Sequence, residues 1–198
     1  MRRAILIAGM AKQIPDLEGD YFGIDRGAFI ALHQGFSLQA AIGDFDSITK
    51  KEREELEKSC PMVVLPTHKN ETDSEAAVKH VLSLGYDSIL LYGCLGGRID
   101  HELANLRLMT QRRYPLTLMN EKNQLEVLNP GTYTIFKTRK YLSFLALEPS
   151  CISEAHVAYP LDHQRIDMQD IYTISNEIED QAIVTIHEGR VMMMQSDD

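Results

Sequence analysis

Hydrophobic and polar positions change rhythm once along this chain, near residue 120. Up to that point, short apolar runs alternate with helical patterns. Ala4 to Ala8, Tyr21 to Ile24, Ala40 to Ile42, Met62 to Leu65, Ile89 to Tyr92 and Leu116 to Met119 are apolar stretches of strand length. Such near-continuous runs mark strands buried on both faces. Between them, Gly27 to Gln34, Lys50 to Ser59, Asp73 to Leu84 and His101 to Arg113 read as helices. Thr49 with Glu52, and Thr72 with Glu75, match the capping box, in which a hydroxyl and a carboxylate each satisfy an orphan amide. This alternation predicts a mainly parallel sheet with helices packed on it.

Beyond residue 120 the helical pattern stops. Gln124 to Leu128, Tyr133 to Lys137, Leu142 to Leu147, Ile152 to Tyr159, Ile171 to Ile174, Ala182 to His187 and Arg190 to Met194 are short β-rich runs. Turn residues such as Asn129-Pro130-Gly131 and Glu188-Gly189 separate them. The expected organisation is an α/β domain with a mainly parallel sheet over residues 1–120, followed by an all-β sandwich-like domain over 121–198. No Gly/Ser- or Pro-rich linker divides the two, and there is no internal repeat. The Met192-Met193-Met194 run is expected to alternate between core and surface on a final strand.

Composition narrows the class of function. With 44% hydrophobic and 25% charged residues, the chain has the balance of an ordinary globular protein. A formal charge of −9 argues against nucleic acid or an anionic membrane as partner, since both select for basic patches. It leaves a phosphate substrate open, because a bound metal inverts the local sign. Cys60, Cys94 and Cys151 are an odd number without close spacing and fit free thiols in a reducing cytoplasm. Nothing approaches a membrane span of about 20 apolar residues. The apolar run after Met1-Arg2-Arg3 is too short for a signal peptide and reads as the first strand.

Three acidic blocks stand where strands hand over to helices or loops: Gly43-Asp44-Phe45-Asp46-Ser47, Glu71-Thr72-Asp73-Ser74-Glu75 and Gly96-Gly97-Arg98-Ile99-Asp100-His101. In an open α/β sheet those ends gather at one edge, where ligands bind. Aspartates converging there repel unless a cation sits between them, and hard oxygen ligands call for Mg2+, which commonly arrives with phosphates. Asp44 and Asp46, two residues apart on an extended segment, are expected to share a side. Taken singly, each block has a plainer reading: a turn for the first, a favoured acid at a helix start for Asp73, an N-cap for Asp100. Gly93, Gly96 and Gly97 followed by Arg98 weigh towards phosphate, because glycines let amides approach oxygens and arginine supplies a fork of donors. Walker A, G-x-G-x-x-G, H-E-x-x-H and G-x-S-x-G sequences are absent, and the histidines lack zinc spacing.

Taken in order, these blocks resemble the thiamine pyrophosphokinase family. Gly43-Asp44-Phe45-Asp46-Ser47-Ile48, Lys69-Asn70-Glu71-Thr72-Asp73, Gly96-Gly97-Arg98-Ile99-Asp100-His101 and Ser175-Asn176-Glu177 match its successive motifs. The resemblance implies an α/β nucleotide-binding domain followed by a β-sandwich, a homodimer, and transfer of diphosphate from ATP to the thiamine hydroxyl. It places Asp44, Asp46 and Asp73 at Mg2+, and Asp46, Asp73 and Asp100 in the catalytic machinery. It places Asp25, Arg26, Gly96, Gly97, Arg98 and His101 on the phosphate and substrate side. Ser175 and Asn176 fall to the thiamine pyrimidine, at the dimer interface. Asp46 and Asp100 stay open as acceptors of the hydroxyl proton. The chain departs from the pattern at His68 and Asn70, at Arg26 where a second glycine is expected, and in having no Trp. Two alternatives remain beside this expectation: a pyrophosphokinase for another heterocyclic alcohol such as a pterin, and a non-catalytic nucleotide- or thiamine-binding regulator.

Overall fold

The computed structural model describes residues 2–198 and falls into two compact units, one ending at Glu121 and the other running from Lys122 to Asp198. The first contains β1 (Arg3–Ile7), β2 (Asp20–Ile24), α1 (Arg26–His33), β3 (Leu38–Gly43), α2 (Lys50–Ser59), β4 (Met62–Val64), α3 (Asp73–Ser83), β5 (Ser88–Tyr92), α4 (Ile99–Thr110) and β6 (Leu116–Met119). Its strands lie in the order β4-β3-β2-β1-β5-β6, and every pairing between neighbours is parallel. The central strand β1 pairs Ile5 with Tyr21 of β2 on one side and with Leu90 of β5 on the other. Ala4, Ile5, Leu6 and Ile7 are at most 1% exposed, which is why this strand shows no polar alternation. Gly27 lets α1 pack closely, since a Cβ there would lie 2.1 Å from the Ile7 carbonyl oxygen.

The helix starts repay comparison with their sequence signals. At α2 the full capping box forms: the Glu52 amide donates to Thr49 Oγ1 at 3.3 Å, and the Thr49 amide donates to Glu52 Oε2 at 2.6 Å. At α3 only half of it forms. Thr72 Oγ1 accepts from the Glu75 amide at 3.1 Å, while the buried Glu75 carboxylate turns to Lys79 at 3.1 Å and Arg112 at 3.7 Å. Two cations, one on α3 and one just past the end of α4, outcompete one backbone amide. The α4 helix begins two residues earlier than expected, with Arg98 as its N-cap, so Asp100 lies inside the first turn.

The second unit contains β7 (Asn123–Leu128), β8 (Gly131–Phe136), β9 (Tyr141–Ala146), β10 (Ser150–Val157), β11 (Leu161–Ile166), β12 (Asn176–Glu188) and β13 (Val191–Ser196). All its pairings are antiparallel. One sheet runs β7-β13-β9 and takes in the first residues of β12; the other runs β8-β12-β10-β11. The long β12 therefore belongs to both. Leu142, Phe144, Ile152, Ile178, Val184, Ile186, Val191 and Met193 fill the core of this unit. The methionine run alternates as its strand setting requires, with Met193 1% exposed and its neighbours less buried.

One strand expectation fails here, and one strand lies outside the expected set. Ile171 to Ile174 is not a strand: Ile171, Tyr172 and Ile174 are 74%, 54% and 49% exposed. Buried Thr173 is tied down, its Oγ1 donating to the Phe144 carbonyl at 2.6 Å and its carbonyl accepting from the Phe144 amide at 2.8 Å. Conversely Leu161–Ile166, read from its sequence Leu-Asp-His-Gln-Arg-Ile, is a strand that apolar patterning does not show. It is an edge paired only with β10, so polar side chains suffice on it. Among the described residues no helix is long and apolar enough to cross a membrane, and Cys60, Cys94 and Cys151 are buried free thiols.

Candidate active site

The chain moves outward from β1 through β2 and β3 to β4, then returns to β5 on the other side of β1. Such a reversal opens a crevice at the carboxyl ends of the strands, because the connections on either side leave in opposite directions. A cleft of about 350 Å3 lies there. Gly9 and Met10 after β1, Asp25 and Arg26 after β2, the first turn of α3, and Arg98, His101 and Glu102 at the start of α4 line it.

Asp25, Asp44 and Asp73 converge at this edge. One carboxylate oxygen from each lies within 4.8 Å of the others, and all three residues are half-buried. Asp25 follows β2 with a left-handed backbone (φ 47°), held because its amide donates to the Ile42 carbonyl at 3.0 Å and its Oδ1 accepts from the Phe45 amide at 3.2 Å. Gly43 makes that placement possible: a Cβ there would lie 1.7 Å from Asp25 Oδ1. Burial, then the charge of Asp73, then Asp44 and Asp46 push the Asp25 carboxyl up to about 6 against the pull of the Phe45 amide. The compensating cation in contact is Lys69, 2.8 Å from Asp73 Oδ1, which also donates to the Pro66 carbonyl at 3.2 Å. Asp73 holds the Lys69 ammonium above its ordinary range. Three close carboxylates against one lysine form an oxygen-rich, charge-deficient set that suits a divalent cation such as Mg2+.

Asp46 stands outside this cluster. The extended backbone ends at Gly43, and the buried Phe45 turns into the left-handed region (φ 62°). The Asp46 amide then donates to Asp44 Oδ1 at 3.1 Å, and its own side chain faces solvent. The expectation that both side chains share a side required a strand continuing through residue 46.

The glycine-rich loop supplies the opposite polarity. The Gly96 and Gly97 amides both donate to Glu102 Oε1, the latter at 2.8 Å, so a carboxylate of the same chain sits on two converging N–H groups. Arg98 forks onto Asp100, with Nε at 3.1 Å and Nη2 at 2.6 Å, and this holds the Asp100 carboxyl down near 2 although both groups are exposed. A carboxyl so acidic is a poor proton acceptor at neutral pH. Asn105, 5% exposed, donates to the Cys94 carbonyl at 3.2 Å at the floor of the cleft. Burial pushes the Cys94 thiol up to about 12, which makes it unreactive.

Ser175 and Asn176 lie in the other unit, at the start of β12. Glu102 and Asn105 were not singled out by motif reasoning, and Lys69, the first residue of its motif, was given no role there. A signal is present in spacing: Arg98, Glu102 and Asn105 fall on one face of α4.

Comparison with known proteins covers both units. The family model for the thiamin pyrophosphokinase catalytic domain matches residues 21–118, and that for the thiamin pyrophosphokinase vitamin B1 binding domain matches residues 132–191. A thiamine pyrophosphokinase of Bacillus subtilis is 31% identical over the full length of both chains. The crystal structure of a thiamin pyrophosphokinase family protein from Enterococcus faecalis superposes with a TM-score of 0.88 at 29% identity, covering all of each chain. That of thiamin pyrophosphokinase from Geobacillus thermodenitrificans gives 0.85 at 28% identity, covering 100% of this chain and 98% of the other. With the acidic strand ends and glycine-rich loop in one cleft, these matches establish that the chain belongs to the thiamin pyrophosphokinase family.

Proposed function

We propose that this chain is an ATP-dependent thiamine diphosphokinase. The observation that carries the proposal is the meeting of Asp25, Asp44 and Asp73 with the Gly96-Gly97-Arg98 loop at one sheet edge, in a chain whose relatives bear that name. The thiamine hydroxyl oxygen attacks the β-phosphorus of ATP, the bond from that phosphorus to the α-β bridging oxygen breaks, AMP leaves with the electron pair, and the hydroxyl proton is released. Little covalent work falls to the protein in such a transfer; positioning and charge neutralisation supply most of the rate.

Asp44 and Asp73, with Asp25 beside them, would hold Mg2+, which neutralises phosphate charge and orients the oxygens. Arg98 and the amides of Gly96 and Gly97 receive phosphate oxygens; the carboxylate of Glu102 on those amides supports their use by an anion. Arg26 and His101, on the rim of the same cleft, add donors to the nucleotide. Asp46 and Asp100 stand at the solvent side of these groups. In the C-terminal unit the Ser175-Asn176 segment serves thiamine.

The enzyme is further proposed to act as a homodimer with the thiamine segment at its interface, for which the exposed Tyr159, Ile171, Tyr172 and Ile174 provide apolar surface. Buried free cysteines support a cytoplasmic setting. The test is AMP release by purified protein with ATP and Mg2+, with and without thiamine. Thiamine-dependent AMP with stoichiometric thiamine diphosphate is expected. AMP formed only with another heterocyclic alcohol overturns the acceptor, and no AMP with any alcohol overturns the chemistry.

A further inference from the structure

The donors proposed for phosphate are already held by anions of the same chain. The Gly96 and Gly97 amides converge on one oxygen, Glu102 Oε1, and the Arg98 guanidinium forks onto both oxygens of Asp100. Both acids stand in the first turn of α4.

The two contacts differ in what it costs to break them. The Arg98 and Asp100 side chains are 74% and 61% exposed, so water replaces either partner readily and the pair is worth little. Glu102 is half-buried in the wall of the cleft, and one of its oxygens accepts two amide hydrogens at once. Hydrogen bonds to an ionised acceptor are roughly twice as strong as neutral ones. Of the two, Glu102 is the occupant that an incoming anion must work to remove.

An acid reaching back from a helix onto an amide can be purely structural, as Glu52 is at α2. Glu52 stands three residues after the N-cap Thr49 and accepts from that residue's own amide, closing a reciprocal box. Glu102 stands four residues after the N-cap Arg98, whose side chain caps nothing. It passes over the N-cap amide and takes the two before it, where Gly96 turns the chain with φ 93°. Its contact therefore serves the loop in the cleft rather than the helix end.

We infer that Glu102 is an internal competitor for ATP: its carboxylate holds the amide pair that a phosphate oxygen takes, and nucleotide binds by displacing it. The inference rests on the proposed role of this loop in phosphate binding. Two amides converging on one point accommodate one anionic oxygen, and a second brought beside it is repelled. A half-buried carboxylate can turn out into water when displaced. Apparent affinity for ATP is then reduced by the fraction of molecules in which the amides are open.

The test is equilibrium titration of ATP with Mg2+, in the absence of thiamine, into the unsubstituted protein, Glu102→Ala, Glu102→Asp and Glu102→Gln. Alanine removes the occupant. Aspartate keeps the charge but is one methylene too short to reach both amides. Both are expected to tighten ATP binding about tenfold, the scale of one charge-assisted hydrogen bond lost to the competitor. Glutamine still reaches the amides as a neutral, weaker acceptor, and is expected to tighten binding by less than alanine does. Tightening with alanine and glutamine but not with aspartate means that charge alone repels ATP, and overturns the inference. Unchanged binding in the alanine and aspartate proteins overturns it, and so does weaker binding, which would show Glu102 bracing the loop. Should Glu102→Ala fail to fold, Glu102→Asp decides, since it keeps an acid in the first turn of α4. Tighter ATP binding in a protein that releases no AMP with any alcohol removes the proposed chemistry and leaves this inference standing. No ATP binding by any of the four proteins removes both.

Discussion

In the α/β unit, three half-buried carboxylates share one contacting lysine, whereas in the β unit the buried Asn176 amide has every hydrogen-bonding group engaged. The difference separates two ways of using polar residues. Charges left unbalanced at strand ends store a demand that a cation and phosphates can meet. A completed network stores no such demand; it fixes the shape of the segment beside it. Being polar and buried therefore does not by itself mark a residue as a ligand. The count of unmet partners does.

Removing a member of the unbalanced set gives the largest effect. Asp73→Asn is expected to lower turnover by about 100-fold or more, on the scale of losing one preorganised electrostatic group, with the far-UV circular dichroism unchanged. A well-folded variant with near-normal rate would take Asp73 out of the site. Gly43→Ala attacks the same set through the backbone, since its Cβ meets Asp25 Oδ1. Stability should fall by about 1–3 kcal/mol in denaturant titration, together with activity, because Asp25 must move.

On the balanced side, Glu154 gives a pH signature. Burial raises its folded-state carboxyl to about 7 from the ordinary 4.5, opposed by the Asn176 hydrogen bond. The folded state then binds a proton that the unfolded state releases, so the stabilisation is full below about 4.5 and is lost as pH rises through about 7. The decline attributable to this group is roughly 3 kcal/mol, and Glu154→Gln should abolish it. Equal pH slopes for the two proteins would mean that the carboxyl is not held in an apolar setting. The smallest effect belongs to Thr49→Ala, which removes one half of the α2 capping box. It should cost about 1 kcal/mol in thermal or denaturant unfolding and leave turnover alone.

Much of the fold was legible in the sequence. The runs of apolar residues located β1, β2, β3, β5 and β6 because strands covered on both faces leave no polar alternation to misread. The errors share one cause. Leu161–Ile166 is an edge strand with too little burial to write itself in apolar residues, and Ile171 to Ile174 is apolar without being paired. At the site, the motifs identified the blocks but not their partners. The left-handed turn at Phe45 sends Asp46 to solvent, and Asp25, twenty residues upstream of Phe45 by hydrogen bond, enters the cluster.

The order of strands and helices, the capping of α2, the acidic and glycine-rich blocks and the family they belong to are properties of the sequence alone, because each rests on residues close together along the chain. Which carboxylates converge, which amide meets Glu102, and which of Ser175 and Asn176 stays exposed were decided only by tertiary structure. Those outcomes depend on distances between residues far apart in sequence and on single backbone angles, and neither leaves a periodic trace in the order of the amino acids.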